Sequence, residues 1–198
     1  MRDIMRRLAF LIALFALFSG TMALKPPAAN AYSYAAAGAE PLLDGREALF
    51  SAVTAGNWEA AQKAVDALKP EFDYLDTHEQ PGIKKAFAEA IAAKDAAKVK
   101  AAFVLAASAE IERRINGARD NLKDYQTAKV LVVKAQRFYT AIAGDLPTDV
   151  SKIVSANLQK ALDAVGNPGV FGVGAKKPNP AAFAKARDAV LKALGRPI

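Results

Sequence analysis

From Asp44 to the carboxyl end, apolar residues recur every three or four positions, and no segment alternates them with polar ones in the manner of a strand. That spacing gathers them on one stripe of a helix, whereas a half-buried strand needs a period of two. The pattern restricts the chain to an all-α fold, an antiparallel bundle of about six helices. Hydrophobic residues make up 53% of the chain, but much of that is alanine, which favours helix and contributes little apolar area per residue. A thin helical core is therefore expected. At 198 residues the chain has room for one domain and a short processing segment.

Turn signals divide the periodic stretch. Asp44 with Glu47 reads as a capping box opening a first helix that ends at Gly56-Asn57. Trp58–Leu75 reads as a second helix, kinked or split at Pro70, which lacks the amide proton and clashes with the preceding turn. After a turn over Thr77–Gly82, Ile83–Ala93 and Ala96–Asn116 form a third and fourth helix. Ala118–Ala143 reads as the longest uninterrupted helix. The next is capped by Thr148 or Asp149 and stopped by Gly166, and a last helix opens at Asn179-Pro180 and closes at Gly195. Between these two, Asn167–Gly174 is expected to tuck Val170, Phe171 and Val173 back over the end of the bundle.

An offset of 38 aligns Ala48, Ala52, Ala55 and Ala64 with Ala86, Ala90, Ala93 and Ala102, and places Gly56-Asn57 on Lys94-Asp95. Repeated helical hairpins would produce this. The unit Ala52-x-x-x-Gly56-Asn57-Trp58-x-x-Ala61, with Phe72-Asp73-Tyr74 after it, is similar to tetratricopeptide-type hairpins. It also resembles the helical extracytoplasmic modules that accompany bacterial iron-uptake systems. The Gly-x-His-x-x-Glu motif of the imelysin-type iron modules is missing.

The amino end follows the secretory pattern. Arg2, Arg6 and Arg7 precede an apolar run from Leu8 to Phe18, and Ala29-Asn30-Ala31 offers small residues for cleavage. Residues 1–31 are expected to be a signal peptide, 32–43 a flexible lead-in and 44–198 the bundle, in the periplasm or secreted. Removing the leader leaves 23 basic and 19 acidic residues, a net of +4. These charges are interspersed along helices rather than gathered in a run, which argues against nucleic acid as a partner. With no cysteine, disulfides, thiol nucleophiles and thiolate-held metal centres are excluded.

Three places attract chemistry. Glu71, Asp73, Asp76, His78 and Glu79 combine carboxylates with the only histidine, a donor set suited to a metal ion. On the fourth helix Glu110 and Arg114 share a stripe with Phe103 and Ala107. If that stripe faces inward, Glu110 and Arg114 with Glu89, Tyr125, Lys129 or Tyr139 would line a ligand or partner pocket. If it faces outward they form a surface ion pair, the favoured reading because buried pairs are costly. The glycines of Gly169-x-x-Gly172-x-Gly174 do not match a dinucleotide fingerprint, and no catalytic motif is present. The expected function is a non-enzymatic, exported bundle that binds an envelope or membrane protein or a small ligand, as an accessory to metal uptake or to a membrane complex. A metal or cofactor carrier and a structural envelope protein are the alternatives.

Overall fold

The computed structural model describes residues 40–169, 171 and 173–198, and the expected leader and most of the lead-in lie outside them. The described chain is an all-α bundle. In order it forms α1 (Pro41–Asp44), α2 (Arg46–Thr54), α3 (Trp58–Ala67), α4 (Lys69–His78), α5 (Ile83–Ala92), α6 (Ala96–Asp120), α7 (Tyr125–Ile142), α8 (Thr148–Ala164) and α9 (Pro180–Ala193). The segments outnumber the six or so expected because α1 precedes the expected start and the second helix breaks at Leu68, two residues before Pro70. The Asp44 carboxylate caps no second helix. It accepts from the amide of Glu40 at 3.1 Å, while Gly45 sits at the amino end of α2 without a side-chain cap. Pro147 takes the corresponding place before α8, also without a side-chain cap, so neither Thr148 nor Asp149 serves there.

α6 is the axis. At 25 residues it is longer than α7, at 18, which reverses the expected ranking. Gly117 was expected to end it, yet the helix runs through. A β-carbon at 117 would lie 3.3 Å from Leu131 Cδ1, so this glycine lets α7 approach closely. The interruption comes instead at 121–124, where Asp124 caps α7 by accepting from the Thr127 amide at 3.1 Å. α6 packs against α4, α5, α7 and α9 and is buried on nearly every side from Ala106 to Glu112. Phe72 of α4 stacks on Phe87 of α5 with ring centroids 4.4 Å apart, joining the first half of the bundle to that axis.

The offset of 38 reappears as geometry. Leu49, Ala52, Val53 and Ala61 are buried, and so are their counterparts Phe87, Ala90, Ile91 and Val99. α2 and α5 end in the same left-handed turn. Gly56 has φ +67° and Lys94 φ +50°; Asn57 N donates to Ala52 O at 2.9 Å and Asp95 N to Ala90 O at 3.1 Å. Asn57 and Asp95 then cap the following helices by accepting from Ala60 N and from Ala97 N. These are Schellman turns, in which the left-handed position suits glycine and costs a residue with a β-carbon about 1–2 kcal/mol.

Lys94 is exposed, so its conformation can be tested without disturbing the core. Lys94→Gly is expected to raise stability by about 0.5–1 kcal/mol in urea denaturation, and Gly56→Lys to lower it by a similar amount. A destabilised Lys94→Gly would contradict the repeated turn.

Candidate functional site

The carboxylate and histidine group around α4 does not converge. Asp73 is held by Lys84 Nζ at 2.8 Å, and that hydrogen bond keeps its carboxyl below the usual carboxylate range. Asp76 accepts from the Lys84 amide at 3.1 Å. His78 Nδ1 lies 2.9 Å from Tyr74 O, and its ring stacks on Tyr74. Glu71 turns towards Arg113, with 3.4 Å between the charged atoms. The backbone oxygen of Glu79 accepts from Arg196 at 2.8 Å, and burial, with Glu112 nearby, raises the Glu79 carboxyl. Among the described residues no three His, Cys, Asp or Glu side chains form a group able to hold a metal ion.

Glu110 and Arg114 face inward, against the favoured surface reading. Glu110 is 0% exposed and Arg114 3%. Their partners are not the ones the sequence suggested. Arg114 Nη2 lies 2.6 Å from Glu40 Oε2 and 3.2 Å from Glu110 Oε2, and Lys134 Nζ of α7 is 2.8 Å from Glu40 Oε1. Arg113 forks onto Glu110 at 2.8 Å and reaches Glu71. Three carboxyl groups thus meet three cations: Glu40, Glu71 and Glu110 with Arg113, Arg114 and Lys134. Tyr139 is elsewhere, its hydroxyl 2.8 Å from Ser151 Oγ, and Tyr125 lies under the Lys129 ammonium. Glu89 is at the surface beside Lys85. A second buried clamp joins Arg196, just beyond α9, to Glu112 and Gln80.

Desolvation dominates the electrostatics of this seam. Burial pushes the Glu110 carboxyl up to about 8, against the pull of Arg113, so that it holds its proton at neutral pH, and lowers Arg114 to about 10, still a cation there. The seam is an internal lock with its charges spent on one another, not an open site. Sequence reasoning had a signal for this. Phe103, Ala106 and Ala107 flank Glu110 on its own face of the helix, which places it on the apolar stripe that packs inward.

Open chemistry sits at the other end, where α8 and α9 meet. A groove of about 410 Å³ between them is lined by Lys160, Lys176 and Lys185 with Asn157, Asn179 and Asp163. A neighbouring one of about 370 Å³ adds Tyr125 and Lys129. Lys160, Lys176, Lys177 and Lys185 form no ion pair among the described residues. The connecting loop, whose Lys176 and Asn179 line the groove, does not tuck Phe171 and Val173 back as expected. Phe171 is fully exposed and Val173 is 80% exposed, while Val170 lies outside the described residues. The base of the loop is clamped by paired backbone hydrogen bonds between Asn167 and Lys176 at 2.8 and 2.7 Å, and by Asn179 N to Ala164 O at 2.8 Å. Glycine is required where the two limbs touch: a β-carbon at 166 would meet Lys176 O at 2.4 Å. Phe171 has φ +50°, a conformation that costs a bulky residue about 1–3 kcal/mol. Comparison with protein-family models, with curated proteins and with solved structures found no match.

The seam makes a pH prediction. The unfolded chain releases the Glu110 proton near 4.5 and the folded chain holds it to about 8, so the folded state binds more protons in between. Stability therefore falls as pH rises through that window and levels off above it. The urea midpoint is expected to drop across that range and Glu110→Gln to remove most of the slope, leaving the smaller part due to Glu79. Equal slopes in the two proteins would refute the assignment.

Proposed function

We propose that this chain is an exported, non-enzymatic helical bundle that binds a partner in the cell envelope as an accessory to a membrane complex, with the α8–α9 end as its contact end. The observation that carries this reading is the contrast between the two charged regions. The seam on α6 pairs its polar groups with one another and is largely buried, whereas the lysines lining the α8–α9 groove are exposed and the loop between the two helices holds Phe171 and Val173 out in water. Groups left unpaired at a surface are the ones available to a partner, and an exposed apolar protrusion beside them is a common mark of a contact site. A non-enzymatic role agrees with the single histidine being engaged by Tyr74, and with a chain that carries no cysteine. Export rests on the arginine-led apolar run and the Ala29-Asn30-Ala31 site. No helix among the described residues is long and apolar enough to cross a membrane.

The full chain, carrying a carboxyl-terminal tag and expressed in a Gram-negative host, tests both halves. Protein recovered from the periplasmic fraction is expected to begin at Tyr32. A photo-crosslinking residue at position 185 is expected to capture a discrete envelope partner, and one at position 62, on exposed α3, none. Full-length protein confined to the cytosol, or equal capture from both positions, would overturn the proposal.

A further inference from the structure

We infer that the α8–α9 end seats on an anionic lipid surface, with Phe171 and Val173 entering the headgroup boundary and the lysines at the loop base and groove meeting lipid phosphates. This rests on the reading that the α8–α9 end is the contact end, and it names what that end touches. Two features converge. The loop holds two large apolar side chains out in water, Phe171 completely and Val173 at 80%, on a base fixed by the Asn167–Lys176 pairing. Phe171 stands there with φ +50°, a backbone conformation unfavourable for phenylalanine.

Charge around the tip points the same way. Lys176 and Lys177 leave the loop base directly, and Lys160 and Lys185 extend the basic surface along α8 and α9, with Asp163 the one carboxylate lining the groove. Apolar insertion combined with basic residues at the headgroup level is how a protein binds a bilayer surface without spanning it. The size of the apolar contact at the loop tip favours lipid at the tip itself, leaving the groove below to the envelope partner. One phenylalanine and one valine fall well short of the roughly 1,000 Å² that a specific protein interface needs, but two such side chains with several lysines suit reversible attachment to a membrane.

The mature protein, sedimented with vesicles of phosphatidylcholine containing phosphatidylglycerol and with vesicles of phosphatidylcholine alone, decides the matter. Binding is expected on the anionic vesicles only, weakening as salt rises. Phe171→Asp with Val173→Asp is expected to weaken it at least about ten-fold, and each of Lys160→Glu and Lys185→Glu by about five-fold. All four positions are exposed, and an unchanged helical circular-dichroism spectrum and urea midpoint identify variants that keep the fold. No sedimentation with anionic vesicles, or binding indifferent to lipid charge and to the tip substitutions, would overturn the inference. Crosslinking from position 185 run in parallel separates the two claims. A discrete protein captured there while vesicles fail would leave the contact end standing and remove the lipid, whereas failure of both would remove the contact end itself.

Discussion

The bundle depends on the pairing of Arg114 with Glu40 and Glu110 inside it. A guanidinium 3% exposed is tolerable only if its charge is met at close range, because an uncompensated buried ion costs several kcal/mol. Glu40 meets that charge from before α1, the Glu110 carboxyl lies 3.2 Å from it one turn earlier on α6, and Lys134 reaches Glu40 from α7. The start of the described chain is thus tied to two central helices by charge rather than by apolar area alone. That matters in a bundle where much of the core is alanine, which adds little burial energy per residue. Arg196 and Glu112 repeat the device beyond α9, so both ends of the described chain are fastened to α6.

The most polar part of the interior is committed to structure, and the acidic group on α4 is divided among Lys84, Arg113 and the backbone. At the α8–α9 end, by contrast, the groove lysines form no ion pair among the described residues, and Phe171 stands fully exposed on a loop clamped at its base.

Much of this was legible in the letters. The helical period, the Gly56 and Gly166 stops and the Asn179-Pro180 start are local signals, and local signals survive folding. The offset of 38 was also real at the level of backbone: Lys94 takes the left-handed conformation of Gly56 although nothing in its own chemistry asks for it. The misreadings share a cause. Gly117 was expected to stop a helix, but the nearness of Leu131 assigns it to a helix crossing. Glu110 and Arg114 were placed at the surface because an i,i+4 pair is usually solvated, and the partner that makes burial tolerable, Glu40, lies 74 residues away in what read as a lead-in. Likewise Phe171 is expected from the sequence to cover apolar surface, yet it stands fully exposed beyond the Asn167–Lys176 clamp. Long-range pairings of this kind leave no periodic trace.

The central claim is that Glu40 and Arg114 are energetically coupled across the interior. A double-mutant cycle built from Glu40→Gln, Arg114→Met and the pair together, read by urea denaturation at neutral pH, measures that coupling directly. The account predicts a coupling of about 2 kcal/mol, with the double variant losing much less stability than the two single losses combined. Additive losses, within about 0.5 kcal/mol, would mean that the two side chains do not meet in the folded protein and would contradict it.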